Sequence, residues 1–161
     1  MRSSLLSSAF FFSSALALGQ TPTINFDGDG LELASGGSAV QIMCDAGDYP
    51  AVLRVCDDLA LDFGRVTGAN GSVTLMGDGP ALNASMIFNI TGRSSFEMSA
   101  SGSAGGVIIA GTIGNSSAID QMISDGKIDV SKIEGEWESY VSTVVESPME
   151  GVDRALVIAG E

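Results

Sequence analysis

The spacing of apolar residues along the chain predicts a mixture of strands and helices. Between Tyr49 and Thr67 apolar residues recur three or four positions apart, which predicts an amphipathic helix with Asp48 as its N-cap and a stop at Gly68. A shorter helix is predicted from Ser117 to Ser124. Alternating or wholly apolar runs predict seven strands: Leu31–Ala34, Val40–Cys44, Ser72–Met76, Met86–Ile90, Val107–Ala110, Tyr140–Val145 and Ala155–Ala159.

The order of these elements predicts an α/β fold, a layered domain with a mixed sheet and two main helices. Two of the strands, Val107–Ala110 and Ala155–Ala159, are wholly apolar, as is typical of central strands covered on both faces. Two helices suffice for roughly one face of the sheet. We therefore expect the other face to lack a partner within this sequence, so that the domain either docks on another element or is incomplete at its C-terminus.

The first 19 residues have the layout of a secretory signal peptide. Arg2 precedes an apolar run from Leu5 to Leu18, and the small residues Ala17 and Gly19 precede a cut before Gln20. The run is short for a membrane span and serines interrupt it. We expect residues 20–161 to be the exported domain, extracellular and free of the membrane after cleavage.

Charge and composition exclude several classes of function. The chain of 161 residues has 20 acidic and 7 basic residues, a net charge of -13 that repels nucleic acid. Cleavage would remove Arg2 and leave 6 basic residues against 20 acidic ones. The chain contains no histidine, so His-based catalytic triads and His-ligated metal sites are excluded, and its two cysteines cannot form a four-thiolate zinc site. We expect no metal, no cofactor and no catalytic residue.

One glycine-rich loop is a candidate ligand contact. Gly111, Thr112, Ile113 and Gly114 lie between an apolar strand and a helix, where backbone amides attract anions. The spacing matches neither the dinucleotide-binding fingerprint nor the P-loop. We interpret the loop as a structural turn, with a contact to a ligand held by a neighbouring domain as the alternative.

Acidic and aromatic residues near Trp137 are weaker candidates. Glu134, Glu136 and Glu138 alternate, but no cleft is predicted around them, so we expect a solvated acidic edge rather than a glycosidase carboxylate pair. Trp137 and Tyr140 have the chemistry to stack on sugar rings. Because aromatic residues are sparse, we favour core or interface packing for both.

Export would allow two modifications of this chain, a disulfide between its cysteines and glycosylation at its sequons. Export permits a disulfide between Cys44 and Cys56, but we favour two separate buried cysteines because both lie on predicted apolar faces. Four sequons are candidate glycan sites, at Asn70, Asn83, Asn89 and Asn115.

Several segments together resemble glycoside hydrolase family 115, the xylan α-1,2-glucuronidases, and most closely its secreted fungal members. They are the stretch from Asp48 to Gly68, Val107–Gly114, Gly126–Val130, Ile133–Tyr140 and Ala155–Gly160. The resemblance covers residues 31 to 160 and lies in the order and spacing of the segments.

The resemblance implies an enzyme family that removes glucuronic acid, or its 4-O-methyl ether, from xylan. It implies that this stretch is the family's N-terminal α/β domain, whose partner is a catalytic (β/α)8 barrel. The family pattern continues after the last strand with a Ser-Asp-x-Arg-Gly type turn, where this sequence has Glu161. We therefore expect a domain that is inactive alone, and keep a small secreted acidic carbohydrate- or protein-binding module as the alternative.

Overall fold

A computed structural model describes residues 30–34, 40–77 and 106–161 of the protein. Within these ranges the chain forms five strands and two helices. In chain order they are β1 (Gln41–Asp45), α1 (Pro50–Thr67), β2 (Ser72–Met76), β3 (Val107–Thr112), α2 (Ser117–Ser124), β4 (Tyr140–Met149) and β5 (Val152–Gly160). Neither helix of this part of the chain has the length and apolar character required to span a bilayer.

The strands form one mixed sheet in the order β2-β1-β3-β5-β4. The first four strands of that order run parallel, and β4 pairs antiparallel with β5 at the edge. Both wholly apolar runs lie inside the sheet, and Ile108, Ile109 and Val157 are buried. The predicted fold class, an α/β layered domain with a mixed sheet and two main helices, is confirmed.

Three predicted elements differ from the structure or lie outside it. Residues 31–34 form no strand, and Met86–Ile90 lies outside the described residues. The strand predicted at Tyr140–Val145 is longer than expected, since β4 continues through Pro148 to Met149. An edge strand tolerates a proline, and the pairing with β5 shifts register between Glu146 and Met149.

The long helix ends as predicted and begins differently. Gly68 has φ 81° and donates its N–H to the Gly64 carbonyl, which terminates α1. Tyr49, rather than Asp48, occupies the N-cap position, and it makes no side-chain capping bond. The Asp48 carboxylate instead bonds to the backbone of Tyr49 and of Thr112 on β3.

The two helices pack on opposite faces of the sheet, which corrects the expectation that together they cover one face. Ile42, Cys44 and Ile108 face α1, whereas Ile109 and Val157 face α2. The connection from β1 through α1 to β2 and the connection from β3 through α2 to β4 and β5 run in opposite directions across the sheet. Right-handed crossovers therefore place their helices on opposite sides.

Neither face is wholly bare, so the expectation of one face without a partner is also wrong. On the α1 face the helix packs over β1 and β2 and reaches β3. The β5 side chains on this face, Leu156 and Ile158, are only partly buried. The open region in the described part of the chain is the half of the α1 face formed by β5 and β4.

Candidate functional site

The predicted glycine-rich loop lies at the carboxyl ends of the parallel strands, beside the point where the chain changes direction across the sheet. From β1 the connection leads to β2 on one side, whereas β3 lies on the other side of β1. In open α/β sheets this switch point is the usual place for ligands. Gly111, Thr112, Ile113 and Gly114 are thus placed where the alternative interpretation requires them.

Local packing explains the glycines of this loop. A Cβ atom on Gly111 would lie 2.6 Å from the Ser116 Cβ, so glycine allows α2 to start close against β3. Gly114 has φ 79°, in the left-handed region. Ser116 caps α2 by accepting a hydrogen bond from the Ile119 N–H at 3.4 Å. These requirements support the interpretation of the loop as a structural turn.

A buried carboxylate already occupies the N-terminus of α2. Asp45, at the end of β1, accepts hydrogen bonds from the Ser117 N–H at 2.9 Å, the Ser117 hydroxyl at 2.5 Å and the Gly47 N–H at 2.8 Å. Burial raises the pKa of Asp45, but the bonds from Ser117 and the backbone outweigh it and hold the pKa below its usual value. An external anion would have to displace this carboxylate.

A second buried carboxylate joins the start of α1 to the end of β3. Asp48 accepts the Tyr49 N–H at 2.7 Å through Oδ1 and the Thr112 N–H at 2.8 Å through Oδ2. Together with Asp45, it links both strands of the switch point to neighbouring elements. The predicted strand ended at Cys44, and sequence analysis missed the role of Asp45, although a charged residue directly after an apolar strand was a usable signal.

Among the residues that the structure describes, the remaining carboxylates do not form a catalytic pair across a cleft. Glu134, Glu136 and Glu138 are exposed in turns before β4, as expected for a solvated acidic edge. Asp57 on α1 is partly buried, and this burial, followed by the adjacent Asp58 charge, raises its pKa. Within the described ranges no group of three or more potential ligands is arranged to hold a metal ion.

Three exposed aromatic residues lie at the same carboxyl edge of the sheet. Tyr49 precedes α1, Tyr140 begins β4 opposite Gly160 of β5, and Trp137 lies in the turn before β4. Their exposed fractions are 55% for Tyr49, 68% for Tyr140 and 87% for Trp137. The sequence favoured core or interface packing for Trp137 and Tyr140, and core packing is wrong because both side chains are exposed. Contact with a partner or a ligand is the use that is compatible with their exposure.

An apolar groove opens beside α1 on the half of its sheet face that no described residue covers. Its volume is about 380 Å³. The residues that line it include Val52, Val55 and Leu59 of α1 and Ala110, Ile158 and Tyr140 of the sheet. Val55 was missed by the sequence analysis because it falls beside the main apolar stripe of the helix. The signal was the apolar arc of α1, which continues past Leu59 and Val52 to Val55 and Val66.

The structure describes both cysteines and two of the four predicted glycosylation sequons. Cys44 of β1 and Cys56 of α1 form a disulfide with an S–S distance of 2.13 Å, so the favoured interpretation of separate cysteines is wrong. The disulfide fastens α1 to the sheet directly behind the groove. Asn70 and Asn115 are exposed, as glycan attachment requires. Asn83 and Asn89 lie outside the described residues, as does the expected signal peptide at residues 1–19.

No protein-family model matches this chain, and no curated protein matches it.

Proposed function

We propose that this protein is the secreted N-terminal accessory domain of a xylan α-1,2-glucuronidase-like glycoside hydrolase of family 115. It performs no hydrolysis itself. It docks on the family's (β/α)8 barrel and stabilises that barrel, which removes glucuronic acid side chains from xylan. The Gly111–Gly114 loop lies near the cleft in the assembled enzyme.

The observation that carries this proposal is the apolar groove beside α1. Exposed apolar side chains gathered in one concave region are typical of surfaces that contact another protein segment. Val55 is 63% exposed and Tyr140 is 68% exposed, and both line the groove. Contact with a second domain would remove both side chains from water.

The switch-point carboxylates support an accessory rather than a catalytic role. Asp45 and Asp48 accept hydrogen bonds from backbone N–H groups, so their oxygens are already engaged in holding strands and helices together. Hydrogen bonding to the charged form lowers the pKa of Asp45, which makes it a poor general acid or base near neutral pH.

The test mixes the secreted chain with a separately produced family-115 barrel and measures co-elution and glucuronic acid release from glucuronoxylan. We expect no release by the chain alone, co-elution with the barrel, and a longer active lifetime of the barrel in the mixture. Val55→Glu should weaken co-elution, whereas Val66→Glu, on the same helix but outside the groove, should not. Release of glucuronic acid by the chain alone, or separate elution of the two proteins, would contradict the proposal.

A second candidate function is favoured by the exposed aromatic edge. Tyr49, Trp137 and Tyr140 offer flat faces on which sugar rings stack, as in a carbohydrate-binding module without catalysis. The exposed Glu136 and Glu138 flank Trp137 and repel glucuronate, so the neutral xylan backbone is the expected ligand. Retarded migration of the chain in gels containing xylan, lost in Trp137→Ala, would support this function, and unchanged migration would exclude it.

A further inference from the structure

We infer that Asn70 carries an N-linked glycan in the exported chain, and that the sequon at Asn115 stays unmodified. The inference rests on the export that the proposed function requires, and it concerns a modification rather than the docking role. Of the four sequons in the sequence, those at Asn70 and Asn115 lie in the described residues.

The Asn70 sequon stays accessible in the folded chain. It lies between α1 and β2, and both Asn70 and Ser72 are exposed. Gly71 between them holds the backbone against the core, because its N–H donates to the Ala60 carbonyl at 2.9 Å. The asparagine and the serine by which a glycosylation sequon is recognised therefore both lie at the surface.

A glycine in the last turn of α1 determines which way the Asn70 amide points. A Cβ atom on Gly64 would lie 1.6 Å from Asn70 Oδ1 and 2.7 Å from Asn70 Cγ. Glycine is unfavourable inside a helix, and here its missing side chain makes room for the oxygen end of the amide. Because Oδ1 and Nδ2 lie on opposite sides of Cγ, Nδ2 points away from Gly64. That nitrogen is the atom to which an N-linked glycan is attached.

Attachment forms one bond and breaks one. Asn70 Nδ2 loses a proton and bonds to C1 of the first sugar, and C1 releases the diphosphate of a lipid-linked oligosaccharide. The secretory pathway supplies both this donor and the transferase. Since the attached glycan is bulky and hydrophilic, its site must lie at the surface of the folded chain, as Asn70 does.

The Asn115 sequon is part of the switch point instead. Ser116 is buried and caps α2, and the Ser117 hydroxyl donates to the buried Asp45 carboxylate. Recognition of this sequon would require the Ser117 hydroxyl to leave that carboxylate. Folding therefore makes the Asn115 sequon inaccessible, whereas it leaves the Asn70 sequon accessible.

The position of Asn70 in the fold keeps a glycan away from the groove. Ser72 pairs with Gln41 at the start of β1, so Asn70 lies at the amino edge of the sheet, opposite the Gly111–Gly114 loop. β2 is also an outer strand, three strand spacings from β5. At about 4.8 Å each, these spacings separate β2 from β5 by about 14 Å. A glycan at Asn70 is therefore compatible with docking at the groove.

The test expresses the full chain, with its own residues 1–19, in a secreting yeast. The secreted protein is treated with peptide-N-glycosidase in heavy-oxygen water, which converts each glycosylated asparagine to an isotope-labelled aspartate, and its peptides are mapped by mass spectrometry. An untreated sample in the same water controls for spontaneous deamidation, to which an Asn-Gly pair is prone. We expect glycosidase-dependent label at Asn70 and none at Asn115.

A matched pair of variants checks the assignment on gels. Asn70→Gln should remove one glycan and increase the mobility of the secreted chain by one step, whereas Asn115→Gln should leave the mobility unchanged. Ser72→Ala keeps Asn70 but removes the hydroxyl of the sequon, so it should behave like Asn70→Gln. The peptide map of the native sequence decides the outcome even where a variant fails to fold.

Four results would overturn the inference. They are no label at Asn70, label at Asn115 alone, equal label at both positions, and retention of an unglycosylated chain inside the cell. The docking role is judged separately, by co-elution with the barrel. A secreted chain that binds the barrel but lacks a glycan at Asn70 refutes only this inference, and a chain glycosylated at Asn70 that does not bind the barrel refutes only the docking.

Discussion

Replacing Asp45 by asparagine tests whether the switch point is held together by its buried carboxylate. Asp45 is 5% exposed, and its two oxygens accept hydrogen bonds from three donors on Gly47 and Ser117. Asparagine offers one oxygen and one NH2 group in the same place. Whichever way the amide is turned, its NH2 group therefore faces another hydrogen-bond donor, either the Gly47 N–H or the Ser117 groups.

The expected loss follows from the bonds that asparagine cannot make. A hydrogen bond to a charged acceptor contributes about 1.5–3 kcal/mol, and a buried donor left without a partner costs about 1–3 kcal/mol. Since Asp45→Asn removes the charge and at least one acceptor, we expect the free energy of unfolding to fall by about 2–4 kcal/mol. That is a large part of the roughly 5–15 kcal/mol that stabilises a typical domain.

Urea unfolding followed by far-UV circular dichroism measures this loss. The matched control is Asp58→Asn, which removes the same charge from an exposed position of α1, 3.9 Å from Arg54. We expect the control to change the free energy of unfolding by less than about 1 kcal/mol. Equal, small effects of both substitutions would refute the structural role of Asp45.

The difference in stability between the native protein and Asp45→Asn should change with pH in one direction only. The pKa of Asp45 is lowered in the folded protein, so its ionisation stabilises the fold above the pKa of the unfolded chain, about 3.9. This contribution is lost as the pH falls through the lower, folded-state value. The stability difference between the native protein and Asp45→Asn should therefore be constant from pH 5 to 7 and shrink in more acidic solution. A difference that grows on acidification would contradict the assignment.

Three further outcomes follow from the fold. Replacing both Cys44 and Cys56 by alanine should lower the free energy of unfolding by about 3 kcal/mol in urea titrations, and the mass of the native chain should rise by two hydrogens on reduction. Gly111→Ala should cost about 1–3 kcal/mol in the same assay, because its Cβ would collide with Ser116. Trp137→Ala should leave the thermal midpoint unchanged, because the side chain is 87% exposed.

The strands and helices with strong periodic patterns were predictable from sequence. The Ser117–Ser124 helix is confirmed with its predicted bounds, and the long helix differs by one residue at its start. The two apolar runs of the chain are inner strands, as their composition requires. For these two strands the local sequence is sufficient, because a strand that is buried on both faces of the sheet needs apolar residues along its whole length.

Long-range partners were not predictable in the same way. The disulfide depends on how β1 and α1 pack together, and the sequence shows only that each cysteine has an apolar environment. The groove depends on which face each helix takes, and this follows from the strand order rather than from any single segment. Asp48 lies where the sequence predicts an N-cap residue. In the fold its carboxylate instead accepts a hydrogen bond from the Thr112 N–H, which lies on a strand distant in sequence.

Hydroxyl-radical footprinting of Tyr140 tests most directly whether the groove is an open docking surface. In the free chain, Tyr140 and Tyr49 should both be labelled, because both are largely exposed. On addition of a family-115 barrel, Tyr140 should become protected while Tyr49 stays reactive. A Tyr140 that is already protected in the free chain, or that remains fully labelled in the mixture, would contradict the account.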